Sequence, residues 1–350
     1  MDKNHILERV QVEGNPLIDG ETVTFVWKGK VAPQLIDDFH GWEENPQPFQ
    51  RTAPGTWTCS FELPRDAYIE YAFIDIKTNK RFPDVHNKRR IWNGINEYNH
   101  YFYMPEAVTT SLVRRKKGIP RGKLTKHKVS TWIMVQNRER AVHLYQPPTE
   151  DPVPLLVVYD GNDYLRLGKL VTIVDNLIAE KRIRPLAMAL LQNGGAWRHV
   201  EYACSDATLA WLDHNILPLA CEQLNLLDIK EYPGTYGVLG ASMGGLMALY
   251  TGLRMPHIFG KVLSQSGAFH FYGFETNVLD LARYLPERTL DIWMDAGKLE
   301  QLLDSNRTMQ ELLKSRGYNV SYREYTAGHN YTAWRDDFWR GLETLFGKEK

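Results

Sequence analysis

Cysteine, long apolar runs and a surplus of either charge are all scarce in this 350-residue chain, and each scarcity removes a class of protein. The three cysteines, Cys59, Cys204 and Cys221, are odd in number, widely spaced and not in metal-ligand spacing. That excludes a disulfide framework and a cysteine-bound metal, and points to a reducing compartment, so a cytoplasmic location is expected. No run approaches the roughly 18 apolar residues of a membrane span, and Met1–Glu8 has no apolar core of signal-peptide length. Lys plus Arg equals Asp plus Glu, 42 each, which leaves no electrostatic case for nucleic acid or an anionic membrane surface. The chain also lacks a Walker lysine after a G-x-x-x-x-G, a G-x-G-x-x-G after a strand, and an H-E-x-x-H. Nucleotide, dinucleotide and zinc-hydrolase chemistries therefore have no motif here, and neither a cofactor nor a metal is expected.

What is present is an ordinary globular composition, 43% hydrophobic and 24% charged, over a length comfortable for two domains. Between about Glu21 and Met104 the chain reads as all-β. Val23–Trp27, Trp57–Leu63 and Tyr68–Asp75 are short β-type runs, separated by the turn signals Lys28-Gly29-Lys30, Pro54-Gly55 and Pro64-Arg65-Asp66. An aromatic strand, Tyr98–Tyr103, closes this unit, and the spacing predicts a small β-sandwich over 1–106. Residues 107–127, with the basic run Arg114-Arg115-Lys116-Lys117, read as a solvated linker.

From Lys128 to the end, strands alternate with helices. Ser130–Val135 and Arg140–Tyr145 read as a hairpin, and Leu155–Tyr159 and Leu186–Leu191 as strands covered on both faces. Asp206–Leu224 reads as one amphipathic helix. Further strands are expected at 261–264, 290–294 and 320–325, with a terminal helix over Trp334–Phe346. Such alternation predicts an α/β domain over 128–350, a mostly parallel sheet with helices on both faces.

The chemistry gathers at Gly240-Ala241-Ser242-Met243-Gly244, between the apolar run Tyr236–Leu239 and the helix former Leu246–Tyr250. This fits the G-x-S-x-G nucleophile elbow, where a strained strand-to-helix turn lifts a serine hydroxyl clear and brings backbone too close for side chains at the flanking positions. The elbow predicts an acid and then a histidine further along. The one histidine beyond Phe271 is His329, in a loop between a β-type run and the terminal helix, where a general base belongs. Three carboxylates follow the strand at 290–294: Asp295, close to the strand; Glu300, in the loop proper; and Asp304, at the start of the next helix. One of them would accept a hydrogen bond from the histidine and fix its tautomer. Of the two oxyanion donors such a site needs, one is the Met243 N–H, the residue after the nucleophile.

Taken together, several stretches resemble the enterochelin (enterobactin) esterase and esterase-D-like branch of the α/β-hydrolases. They are Asp160-Gly161, Gly240–Gly245, Asp295–Glu300 and Gly328–Arg335. Val23–Gly29, Asp37–Trp42 and Tyr68–Phe73 resemble that family's immunoglobulin-like N-terminal domain. The resemblance implies a serine esterase in which Ser242 is the nucleophile, His329 the base and Glu300 the acid. Glu300 is the third residue after the loop glycine, where many relatives have aspartate. It also implies Gly161 as the second oxyanion donor and a small-molecule ester as partner, such as a ferric catecholate siderophore lactone. An acetyl or feruloyl carbohydrate esterase is the alternative, and a non-catalytic binding protein on the same scaffold a third. Asn162, Tyr164 (where the family commonly has tryptophan), Trp197 and Trp334 are the candidate substrate-binding residues. Arg198 and Glu201 match an Arg-x-x-Glu stretch read as structural. A homodimer is allowed for.

Overall fold

Alternating apolar and polar residues build the first of two units in the computed structural model, which describes residues 3–348 apart from 76, 95, 96, 137, 272, 287 and 288. The first unit comprises 1–109 together with two later segments, 297–301 and 324–333. After helix α1 (Lys3–Glu13) come β1 (Leu17–Asp19), β2 (Thr22–Lys28), β3 (Gln34–Asp37), β4 (Gln47–Pro48) and β5 (Gln50–Ala53). These are followed by β6 (Thr56–Glu62), β7 (Tyr68–Asp75), β8 (Lys80–Phe82), β9 (Arg90–Trp92) and β10 (Tyr98–Tyr103). One sheet has the order β1-β2-β6-β5, and the other β4-β3-β7-β10-β9 with β8 on β7. Val23, Phe25, Leu35, Ile69, Tyr71, Phe73 and Phe102 meet in one core, with Phe25 edge-on to Tyr71 at 4.8 Å between ring centres. Each such aromatic contributes on the order of 2 kcal/mol by burial. Helix α1 has no strong sequence signal of its own. It is held because Val10 packs on Leu17 and Val26.

The second unit comprises 110–296, 302–323 and 334–350. Its strands are β11 (Lys123–Ser130), β12 (Glu139–Gln146), β13 (Leu155–Val158), β14 (Ala187–Leu191), β15 (Tyr236–Ala241) and β16 (Phe259–Gln265). A two-residue pair, β17 (His270–Phe271) and β18 (Phe274–Glu275), precedes β19 (Asp291–Gly297) and β20 (Asn319–Tyr325). The main sheet has the order β11-β12-β14-β13-β15-β16-β19-β20. Pairing is parallel from β14 through β13, β15 and β16 to β19, and antiparallel at β11-β12-β14. The helices are α2 (Gly161–Arg166), α3 (Leu170–Ala179), α4 (Arg198–Tyr202), α5 (Asp206–Trp211), α6 (Leu217–Gln223), α7 (Met243–Arg254), α8 (Asn277–Tyr284), α9 (Leu303–Ser315) and α10 (Tyr331–Phe346). β13, β14 and β15 are buried along their whole length, as strands covered on both faces must be. This is an α/β-hydrolase-like fold.

Two local expectations are corrected. The first hairpin strand is Lys123–Ser130, not Ser130–Val135, so it begins inside the stretch read as linker. As the edge strand of its sheet it is mostly exposed and carries Lys123, Lys126 and Lys128, and that polarity hides a strand inside a basic run. Thr131 instead closes the turn, its hydroxyl donating to Arg138 O at 2.7 Å and accepting from Arg138 N–H at 2.9 Å. The helix expected over 206–224 is interrupted by a wider π-type turn at Leu212–Ile216. Pro218 cannot donate to the preceding turn and lies just beyond it.

Candidate active site

β15 ends at Ala241 and α7 begins at Met243, which leaves Ser242 alone on the turn with φ 58° and ψ −124°. A left-handed φ at a non-glycine residue costs on the order of 1–3 kcal/mol and persists only where the surroundings fix it. Here Ser242 N–H donates to Gln265 O at 2.9 Å, and Ser242 O accepts from Ala268 N–H at 3.1 Å and Leu246 N–H at 3.0 Å. The elbow glycines answer to close approach. A Cβ on Gly240 would lie 2.2 Å from Gly244 O, and one on Gly245 2.9 Å from Ser264 Oγ. Ser242 stays partly exposed while Met243 is buried.

Asp160 and Gly161 follow β13. Asp160 is buried in the left-handed region, and its carboxylate is gripped on both oxygens. Arg198 donates from Nε to Oδ1 at 2.7 Å and from Nη2 to Oδ2 at 2.6 Å, and Asn193 Nδ2 donates to Oδ1 at 2.7 Å. Arg198 Nη2 also donates to Ala241 O at 3.2 Å, so one guanidinium ties this loop to the elbow. A Cβ on Gly161 would sit 2.3 Å from the backbone carbon of Leu190, so only glycine fits there. Gly161 and Met243 each open a helix, and the first N–H groups of a helix have no acceptor within it. Glu201, the other member of the Arg-x-x-Glu stretch, forms a buried bidentate pair with Arg140 at 2.6 and 2.5 Å.

Gln265, on the strand next to the elbow, is a hub that sequence reading missed. Its side chain donates to Asp295 Oδ2 at 3.0 Å and to Trp334 O at 3.2 Å, and accepts from the Tyr164 hydroxyl at 3.0 Å. Trp293 Nε1 donates to Asp295 Oδ2 at 2.9 Å. Asp295 is fully buried within β19, its carboxylate engaged by these fixed donors. Two candidate substrate contacts are buried in this structure. Tyr164 is 0% exposed with its hydroxyl on Gln265, and burial together with Asp295 and Asp160 pushes that hydroxyl well above its usual range. Trp334 is 4% exposed and donates from Nε1 to Ser266 Oγ at 2.9 Å. Both pack behind the elbow, because an aromatic ring with a polar tip suits a buried polar partner as well as open space. Asn162 is partly exposed and Trp197 exposed.

Glu300 and His329 belong to the first unit, and the structure brings them together: His329 Nδ1 lies 2.6 Å from Glu300 Oε2. The Glu300 side chain is 1% exposed and that of His329 36%. The second carboxylate oxygen accepts Gly297 N–H at 3.2 Å. With the proton on Nδ1, this bond leaves Nε2 unprotonated, the tautomer a base requires. Backbone bonds lace the two segments, Lys298 N–H to Tyr325 O at 2.8 Å and Leu299 N–H to Ala327 O at 3.1 Å, and Leu299 packs on the sandwich core. Asp304 lies in the first turn of α9, almost fully exposed and 3.5 Å from Arg307. Among the described residues no group of three or more His, Cys, Asp or Glu could hold a metal ion, and no helix is long and apolar enough to cross a membrane.

The model of the Esterase family matches residues 134–345. The chain belongs to that family. The chain is 27% identical over 233 residues to the iron(III) enterobactin esterase of Dickeya dadantii (strain 3937), a match covering 60% of the chain but 52% of that protein. The chain thus spans about half the length of the first curated relative it matches. The iron(III) salmochelin esterase of Escherichia coli O6:H1 is 23% identical over 366 residues, covering 94% of the chain and 88% of that protein. In fold, the chain is similar to the ferric enterobactin esterase of Salmonella typhimurium, with a TM-score of 0.81 at 20% identity over 98% of each chain.

Proposed function

We propose that this esterase cleaves carboxylic esters through an acyl-enzyme on Ser242. The Ser242 hydroxyl adds to the ester carbonyl as His329 Nε2 accepts its proton, and Glu300 stabilises the imidazolium that forms. The N–H groups of Met243 and Gly161 hold the developing oxyanion. Collapse expels the alcohol, which takes the proton back from His329, and water then repeats the cycle to release the acid. The observation that carries this reading is a serine held in a strained elbow in a chain that also pairs an outward imidazole with a buried carboxylate. The same chain order of serine, acid and histidine supports it.

The substrate we infer is a catecholate siderophore lactone in its ferric form, the iron being cargo of the substrate. Relatives named for iron(III) enterobactin and iron(III) salmochelin support this, the latter along nearly the whole chain. In this reading the first unit is an immunoglobulin-like sandwich, supported by its two packed antiparallel sheets, and the protein works in the cytoplasm, as three unpaired cysteines suit. Hydrolysis of ferric enterobactin, followed by release of dihydroxybenzoyl-serine, tests it beside p-nitrophenyl butyrate and a feruloylated sugar. Turnover of the simple ester that survives Ser242→Ala would sink the mechanism. Preference for the sugar ester would move the substrate to the carbohydrate class.

A further inference from the structure

His329 is exposed, but its neighbours on both sides are buried, and both meet one acid of the sandwich. That acid is Asp38, just after β3 and 3% exposed. A Cβ on Gly328 would lie 2.1 Å from Asp38 Oδ1 and 2.3 Å from its Cγ, so the loop crosses the carboxyl at backbone distance. On the other side of the imidazole, Asn330 Nδ2 donates to Asp38 Oδ2 at 3.4 Å, while Asn330 Oδ1 accepts Ala333 N–H at 2.9 Å and so starts α10.

Asp38 is itself fixed. Its Oδ2 accepts Glu70 N–H at 2.8 Å and its Oδ1 accepts Trp42 Nε1–H at 3.1 Å. Glu70 receives the Tyr68 hydroxyl at 3.0 Å and Asn99 Nδ2 at 2.8 Å. Tyr68 N–H in turn donates to Thr326 O at 3.0 Å, at the near end of the histidine loop. Nothing in the esterase reaction as described above uses Asp38. A carboxyl this deep is costly unless its hydrogen bonds do something.

We propose that Asp38 is a positioning residue of the esterase, fixing the backbone on both sides of His329 so that the ring meets Glu300 in a single orientation. This rests on the reading of His329 as the base. It gives the sandwich a part in the chemistry itself, as the support on which the base is mounted. Burial and the Glu70 carboxylate push the Asp38 carboxyl well above the usual carboxylate range.

The experiment compares wild type, Asp38→Ala, Asp38→Asn and His329→Ala as full chains on p-nitrophenyl butyrate. Because an error of about 1 Å in a reacting group costs about 100-fold, Asp38→Ala should lower kcat by about that factor with KM within about twofold. Asp38→Asn keeps the volume but aims an N–H at existing donors, and should cost about tenfold in kcat. A merely structural loss would not move the far-downfield proton resonance of the His329 Nδ1–H bonded to Glu300. That signal should shift or vanish in both Asp38 variants. Wild-type kcat with an unshifted signal in Asp38→Asn, while His329→Ala is inactive, overturns the proposal. Wild-type turnover in His329→Ala overturns the base reading first, and the role of Asp38 with it. Should neither Asp38 variant fold, Gly328→Ala probes the same contact from the loop, and unchanged kcat and signal there overturn the proposal equally.

Discussion

Asp295, inside β19, and Glu300, just beyond its end, both have buried side chains, yet their oxygens meet different kinds of partner. Asp295 accepts from the Gln265 amide and the Trp293 indole, groups that hold one protonation state at any ordinary pH. Glu300 accepts a backbone N–H on one oxygen and faces the Nδ1 of a half-exposed imidazole with the other. Burial alone therefore does not separate an acid that holds a fold from one that can act. The separation lies in whether the partner can change its charge, since only then does the carboxylate stabilise one state of a reaction over another.

The largest effect that would sharpen this contrast is on turnover. Glu300→Gln leaves the shape nearly intact but withdraws the charge that fixes the tautomer, so kcat should fall by about 10⁴-fold while the thermal midpoint barely moves. Steady-state kinetics beside a melting curve checks this. Asp295→Asn should do the reverse. Its new amide N–H points at two donors in a dry site, so stability should drop by about 2–4 kcal/mol while the folded fraction keeps kcat within about tenfold. Denaturant unfolding measures the first and active-site-normalised rates the second. If Asp295→Asn loses turnover at full stability, the two assignments must be exchanged.

A third carboxylate refines the comparison by pH. Burial first, and then the neighbouring Asp160, push Asp163 up to about 6, against the pull of Arg198. An acid raised on folding contributes stability that is complete below its unfolded pKa and is lost as pH rises through the folded value. The wild-type melting temperature should thus carry a decline toward pH 6 that Asp163→Asn flattens, read from melts at stepped pH. The smallest effect belongs to Asp304→Ala, almost fully exposed, where stability should change by less than about 0.5 kcal/mol and kcat not at all. A clear loss of turnover there would break the comparison, because a solvated acid would then be acting on the site.

Much of this was legible in the residues, for a local reason. The elbow could be read because its strand, turn and helix are contiguous and its first glycine answers to a contact within the motif, Gly240 against Gly244. The runs that became β13 and β14 were visible because a strand covered on both faces must be apolar throughout. The choice among Asp295, Glu300 and Asp304 was not legible from residue types. It depends on which carboxyl reaches an imidazole and which is enclosed by an indole and an amide, facts of three-dimensional packing. Resemblance supplied Glu300 where spacing left three candidates. The same limit holds for Tyr164 and Trp334, whose chemistry suits a pocket wall and whose polar tips close on Gln265 and Ser266. Gln265 and Asp38 escaped notice as hubs because nothing in their neighbours' identity marks a buried polar hub.

The lysines of β11 bear on how the molecule behaves at high concentration. A sheet that ends in an open row of N–H and C=O groups invites another copy to add its own strand. Lys123, Lys126 and Lys128 place three like charges along that margin, so two copies brought edge to edge would repel before pairing. The lysines that conceal a strand from a reader of the sequence thus also oppose the pairing of its open edge with another copy.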